Sequence, residues 1–99
     1  MRICLFCNAG MSTSLVAMKL KESFEKVGKD YEVEAFDFSN LEDESEDIDI
    51  IVLGPQIAWA YEDVKEDYPD KRVYQLDMQD FGSMNGDVVR EKLEKEFGI

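Results

Sequence analysis

A cysteine and a cluster of hydroxyl residues lie close together near the start of the chain, where an apolar segment gives way to a polar one. Cys7 ends the apolar segment, and seven residues follow it as a candidate phosphate-binding loop: Asn8, Ala9, Gly10, Met11, Ser12, Thr13 and Ser14. This order is typical of a strand, a tight loop and a helix, because Ser and Thr are favoured at helix N-caps. The free N–H groups and positive dipole of a helix start attract anions and favour a thiolate. The sequence therefore predicts that Cys7 is a nucleophile at the mouth of a phosphate-sized loop.

Cys4 and Cys7 form a C-x-x-C pattern, which raises the alternative of a redox pair. The two intervening residues belong to the apolar strand, and three strand residues span about 10 Å, against a limit of about 7 Å between the Cα atoms of a disulfide. We therefore expect Cys4 to be a small buried hydrophobic residue. No metal site is predicted, since the chain has no histidine and no second cysteine pair.

The segment from Phe6 to Ser14 resembles the active-site loop of the lactose/cellobiose (diacetylchitobiose) family of enzyme IIB proteins of the bacterial sugar phosphotransferase system. Two later segments match in the same order, Leu53-Gly54-Pro55-Gln56-Ile57 and Phe81-Gly82-Ser83-Met84-Asn85-Gly86. The resemblance covers essentially the whole chain and implies one domain over residues 1–99. It implies that Cys7 takes phosphate from a phosphohistidine of enzyme IIA and passes it to a sugar, expected to be a β-disaccharide such as cellobiose. The sugar is bound by the membrane protein enzyme IIC, and no cofactor is implied.

The rest of the chain predicts the elements that hold this loop. Apolar residues at helical spacing predict a first helix to about Val27, stopped by Gly28. Further strands are predicted at 31–36, 48–53 and 72–76, a helix between Pro55 and Pro69, a loop over 77–86 and a last helix from Asp87. This pattern predicts a single three-layer α/β domain, a four-stranded parallel sheet with helices on both faces. The Cys7 strand is expected to be central and the 31–36 strand near an edge.

Pro55 and Gln56 follow the third strand, at the sheet edge where ligands bind in open α/β folds. Gln56 could donate a hydrogen bond to a phosphoryl group or a partner. The alternative, a polar helix-start residue in water, has equal support, so these two residues are a candidate rim of the site.

The predicted fold is also similar to that of low-molecular-weight tyrosine phosphatases, whose loop is Cys-x5-Arg followed by Ser or Thr. Here Thr13 stands at the arginine position and Ser14 at the hydroxyl position. Without a bidentate guanidinium, the loop is suited to hold phosphate more than to hydrolyse a phosphocysteine. The alternatives are a phosphatase or arsenate-reductase-like hydrolase, with Asp77 or Asp80 as an unplaced acid, and a non-catalytic phosphate-accepting regulatory domain.

A net charge of −12 argues against nucleic acid or an anionic membrane surface as the partner. The chain shows neither a signal peptide nor an apolar run of about twenty residues, so it is not expected to insert into a membrane. A cytoplasmic location is expected, peripheral to the membrane through the transporter partner. The acidic run over residues 42–49 is interpreted as a solvated connection, with a helical turn allowed.

Overall fold

A computed structural model describes residues 1–8 and 11–99, and for Met11 and Ser12 it describes the backbone alone. The strands are β1 (Arg2–Cys7), β2 (Glu32–Asp37), β3 (Ile50–Leu53) and β4 (Arg72–Gln75). The α-helices are α1 (Met11–Lys26), α2 (Leu41–Glu44), α3 (Tyr61–Asp67), α4 (Met78–Ser83) and α5 (Gly86–Phe97). Short 3₁₀ helices cover Phe38–Asn40, Ser45–Asp47 and Pro55–Ala60. No helix in the described ranges is long and apolar enough to cross a membrane.

The four strands form one parallel sheet in the order β2-β1-β3-β4. The register pairs Phe6 with Leu53, Leu53 with Gln75, and Cys7 with Asp37. All four strands therefore end at the same edge, and β1 brings Cys7 to that edge between two neighbours. The predicted parallel sheet, the inner place of β1 and the edge place of β2 are confirmed.

Two apolar layers cover the faces of the sheet, because every residue of β3 and all but the first of β1 are buried. On one face the core is built from Ile3, Leu5, Ile50 and Val52 with residues of α1 and α5, including Val16, Leu20, Phe24, Val89 and Leu93. On the other face Cys4, Phe6, Ile51 and Leu53 pack with Leu41, Ile57, Ala60 and Val64. The predicted three-layer architecture is confirmed.

Helices α1 and α5 touch at a point where only glycine fits. A Cβ atom placed on Gly86, the first residue of α5, would lie 2.2 Å from the carbonyl oxygen of Lys19 in α1. Asn85 caps α5 by accepting hydrogen bonds from the N–H groups of Asp87 and Val88. This contact fixes the packing of α5 on the helix that begins beside Cys7.

The predicted loop over residues 77–86 is wrong, because it contains α4. Asp77 is the N-cap of this helix, and its carboxylate accepts a hydrogen bond from the N–H of Asp80 at 2.7 Å. Phe81 is buried in the core, and Met84 ends the helix in the left-handed region with φ of 52°. Burial of Phe81 and the Asp77 cap together stabilise a helix that is too short for periodicity to reveal.

Several boundaries differ from the prediction. Helix α1 ends at Lys26, so Val27 lies outside it and is 44% exposed. The segment after Pro55 begins as a 3₁₀ helix with Ile57 at φ of −118°, and regular α-helix starts only at Tyr61. The third strand is shorter than predicted, and the acidic run contains α2 and a 3₁₀ turn, so the predicted helical turn is present.

Candidate active site

The sulfur of Cys7 lies against the first turn of α1. Cys7 is the last residue of β1 and is 2% exposed. The Thr13 side chain, 1% exposed, makes a hydrogen bond through Oγ1 to Cys7 Sγ. Either atom can be the donor, and the bond holds the sulfur against the first turn of α1.

The hydroxyl residues lie inside the helix and not at its N-cap, because α1 begins at Met11. This corrects the predicted capping role for Ser12, Thr13 and Ser14. The Thr13 hydroxyl contacts Cys7, whereas Ser14 is exposed in the same turn and Asn8 is exposed before the helix. Ala9 and Gly10, and the side chains of Met11 and Ser12, were predicted to bind phosphate and lie outside the described residues.

The end of β3 forms the second wall beside Cys7. Gly54 donates its N–H to the carbonyl of Phe6 at 2.8 Å. A Cβ atom on Gly54 would lie 3.0 Å from Cys7 Cβ and 3.0 Å from Gln56 Oε1. Cys7 Cβ and Gln56 Oε1 therefore both border the space next to Gly54. The exposed side chain of Gln56 is thus close to Cys7. Pro55 is half-buried and starts the 3₁₀ helix.

The anion-binding feature beside Cys7 is the N-terminus of α1. Helix α1 has sixteen residues, so its N-terminus carries a full dipole and the N–H groups of its first turn point toward the loop. The arrangement is suited to bind an anion next to a sulfur nucleophile.

Cys4 has a different environment. It is fully buried in the core on the α3 face, and alternation along β1 directs Cys7 to the other face. Burial raises the pKa of the Cys4 thiol to about 11, so this thiol stays protonated at neutral pH. Cys4 is a free cysteine. The predicted small buried residue is confirmed, and the geometry is against a redox pair.

The two aspartates considered as acids are engaged elsewhere. Asp77 caps α4, and the buried Asp80 accepts a hydrogen bond from Lys92 of α5 in an ion pair. Sequence reasoning missed a third residue at this edge, Gln75, whose side-chain amide lies against the ends of β3 and β4. The only signal for Gln75 was a polar residue in an otherwise apolar strand segment.

The chain belongs to the family described as PTS system, Lactose/Cellobiose specific IIB subunit, whose model matches residues 2–92. The predicted family resemblance is confirmed. Among relatives, it is similar to the PTS system galactose-specific EIIB component of Lactococcus lactis subsp. cremoris, with 36% identity over 94 residues, covering 88% of this chain and 87% of the relative. It is also similar to the PTS system oligo-beta-mannoside-specific EIIB component of Bacillus subtilis, with 28% identity, 92% of this chain and 90% of the relative.

Solved structures show the same fold. The lactose-specific IIB component domain from Streptococcus pneumoniae superimposes with a TM-score of 0.89 at 12% identity, covering 98% of this chain and 97% of that one. The cellobiose-specific phosphotransferase IIB component from Borrelia burgdorferi gives a TM-score of 0.76 at 26% identity, covering 99% and 92%. The match extends over almost the whole length of each domain, so the sheet and helices described above are the fold of IIB domains.

Proposed function

We propose that this protein is a phosphoryl carrier of a sugar phosphotransferase system and that Cys7 carries the phosphoryl group. The Cys7 thiolate attacks the phosphorus of a phosphohistidine on enzyme IIA, and the S–P bond forms as the N–P bond breaks. A hydroxyl of a sugar bound by the membrane protein enzyme IIC then attacks the same phosphorus, and the thiolate leaves. Named specificities of relatives include galactose, cellobiose and oligo-beta-mannoside, and the last two support a β-disaccharide such as cellobiose as the acceptor.

The hydrogen bond between Thr13 Oγ1 and Cys7 Sγ is the observation that carries this proposal. It joins the candidate nucleophile Cys7 to the first turn of α1, where N–H groups and the helix dipole would stabilise a phosphoryl group. In the proposed phosphorylated state, the backbone of residues 8–14 and the hydroxyls of Ser12, Thr13 and Ser14 would hold the phosphoryl oxygens. Gln56 donates from the rim, and Pro55 shapes the turn that carries it.

The same contact favours a carrier over a hydrolase. In the related phosphatases an arginine holds the phosphoryl group, and here that position belongs to Thr13, which is buried against the sulfur. A hydrolase would also need an acid to protonate the leaving group. Asp77 and Asp80 do not suit this role, because Asp77 caps the N-terminus of α4 and Asp80 pairs with Lys92. A carrier needs this combination, because its phosphocysteine must survive in water until the acceptor arrives.

The proposal extends to the whole chain and its partners. Residues 1–99 would form one IIB domain, since α5 continues past residue 92 and packs on α1 through Val89 and Leu93. The domain would act in the cytoplasm, receive phosphate from enzyme IIA, and associate with the membrane only through enzyme IIC. It needs no cofactor, because the phosphohistidine supplies both the phosphoryl group and the driving force.

The test is phosphorylation by enzyme IIA that has been charged on its histidine. Mass spectrometry of the product should place one phosphoryl group on the peptide that contains Cys7. Cys7→Ser should abolish acceptance, because a serine hydroxyl is scarcely ionised at neutral pH and the chain has no histidine to serve as a base. Cys4→Ala is the matched control on the same strand and should keep transfer. Phosphate on any residue other than Cys7 in the wild-type protein would overturn the assignment.

A further inference from the structure

Gln75 is a half-buried residue at the edge of the sheet that holds Cys7, and its Oε1 atom is fully buried. It is the last residue of β4, next to the buried Leu76. Its Nε2 donates to three carbonyl oxygens, those of Leu53 at 3.2 Å, Gly54 at 3.1 Å and Leu76 at 2.9 Å. One side chain thus binds the ends of two adjacent strands.

Fold stability alone gives little reason for this residue. The carbonyl of Leu53 also accepts the N–H of Leu76 at 2.9 Å, and that of Gly54 accepts the N–H of Ile57 at 3.1 Å. Among the described residues, Gln75 Oε1 is the one buried side-chain polar atom without a hydrogen-bond partner. A half-satisfied buried amide destabilises a fold relative to an apolar residue of the same shape, so a functional reason is expected.

The contacts of Gly54 supply that reason. Its carbonyl accepts a hydrogen bond from Gln75, and its N–H donates to the carbonyl of Phe6. Cys7 Cβ and Gln56 Oε1 both lie close to the space that a Cβ atom on Gly54 would occupy. A shift of the Gly54 carbonyl would therefore move the Gln56 amide relative to the Cys7 sulfur. We propose that Gln75 is a positioning residue, which fixes the turn Gly54-Pro55-Gln56 so that the Gln56 amide meets the phosphoryl group on Cys7. This inference rests on the proposed phosphoryl transfer.

The test measures phosphoryl acceptance from phosphorylated enzyme IIA by Gln75→Met, which keeps the length of the side chain and removes both polar ends. We expect kcat to fall about tenfold, the scale of one misplaced hydrogen bond, while KM for the donor stays within about twofold. The melting temperature should equal or exceed that of the wild type, since the unpartnered acceptor is removed. Gln79→Met is the matched control, because Gln79 is exposed on α4.

A double-mutant cycle separates positioning from general packing. Gln56→Ala should lower kcat, and adding Gln75→Met to it should lower kcat no further, because Gln75 acts through Gln56. If the double variant loses kcat by the product of the two single losses, the proposal is wrong. It is also wrong if Gln75→Met folds and keeps the wild-type kcat. If Gln75→Met and a second variant, Gln75→Val, both fail to fold, the amide is a structural necessity and the proposal is wrong. Failure of the wild type to accept phosphate would instead count against the proposed function.

Discussion

The buried hydroxyl of Thr13 is hydrogen-bonded to the sulfur of Cys7, six residues earlier in the chain. The bond joins the last residue of the inner strand β1 to the first turn of α1, so the strand end and the helix start act as one unit. A threonine in this place supplies one short donor to the sulfur, whereas a guanidinium would reach past it to the phosphoryl oxygens. The contact thus holds the sulfur in place and does not supply the fork of donors that would hold a phosphoryl group for hydrolysis.

Thr13→Val tests the contribution of this hydroxyl, because valine has the same shape and no donor. A hydrogen bond to a charged group contributes about 1.5–3 kcal/mol, so the rate of phosphoryl acceptance should fall about ten- to hundredfold. Thr13→Ser keeps the hydroxyl and should stay within about fivefold of the wild type on the same scale. The measurement is the initial rate with phosphorylated enzyme IIA. A wild-type rate in folded Thr13→Val would show that the hydroxyl is dispensable.

Gly54→Ala tests the close contact between β3 and Cys7. The new Cβ would lie 3.0 Å from Cys7 Cβ and 3.3 Å from the Phe6 carbonyl oxygen, so both must move by a few tenths of an ångström. We expect the free energy of unfolding to fall by about 1–2 kcal/mol, as in other overpacked sites, and phosphoryl acceptance to fall with it.

Gly82→Ala is the control for this change. Gly82 lies in α4, and a Cβ there would meet no atom within 4 Å. Alanine favours helix, so this variant should gain about 0.5–1 kcal/mol of stability and transfer phosphate normally. Denaturant unfolding and the transfer rate, measured for both variants, distinguish a local effect at Cys7 from a general effect of alanine. Equal changes in stability and transfer rate in the two variants would contradict a tight contact between Gly54 and Cys7.

The sequence predicts the part of the site that is local in the chain. Cys7, Thr13 and Ser14 belong to one strand, loop and helix, and the apolar run before Cys7 predicts the strand that presents it. The rule that parallel strands end at one edge also predicts that Gln56 lies near Cys7, and the structure places it there.

The contacts that the sequence does not reveal depend on register between distant segments. Gln75 reaches Gly54 across twenty-one residues of chain, and no periodicity encodes which carbonyl it binds. Helix α4 was missed because six residues are too few for a helical pattern, and Gly82 interrupts them. The apolar residues after Pro55 predict a regular helix, but the structure has a 3₁₀ helix there. The exposed Trp59 in this segment contacts Phe38 and not the core.

Ionisation of the buried Cys4 thiol is expected to lower the free energy of unfolding at alkaline pH. Burial raises the pKa of its thiol to about 11, above the ordinary value of about 9. The folded protein therefore holds the Cys4 proton more tightly than the unfolded chain does. The stability that comes from the protonated thiol is complete below about pH 9 and is lost as pH rises toward 11. At about 1.4 kcal/mol per pH unit, the loss approaches 2–3 kcal/mol.

Comparison with Cys4→Ala isolates this contribution, since the other groups that titrate above pH 9 are common to both proteins. The measurement is urea unfolding at several pH values between 8 and 11, a range set by that thiol. Cys4→Ala is expected to be the less stable protein at pH 8, because it leaves a cavity, and the gap between the two should narrow as pH rises. A constant gap would mean that Cys4 ionises in the folded protein as readily as in the unfolded chain.

The contacts of Asp87 between α5 and α1 are expected to make the free energy of unfolding fall at acid pH. Its carboxylate accepts hydrogen bonds from the Ser23 hydroxyl and from Lys26 Nζ, the latter at 2.9 Å. The Ser23 hydrogen bond, followed by that of Lys26, lowers the pKa of Asp87 below its ordinary value of 3.8. A lowered pKa in the folded state gives stability that is present above the ordinary value and is lost as pH falls through the folded value.

Asp87→Asn should therefore be less stable than the wild type at pH 7, and the difference should shrink as pH falls below about 4. The measurement is the urea midpoint by circular dichroism at pH 7 and at steps down to about pH 3, in matched salt. Glu91→Gln is the control, because Glu91 lies on the same helix with an exposed side chain, 3.8 Å from Arg90. Its midpoint should follow that of the wild type at every pH. A difference between wild type and Asp87→Asn that stays constant to pH 3 would show that the Asp87 contacts stabilise the α1–α5 pair through packing and not through charge.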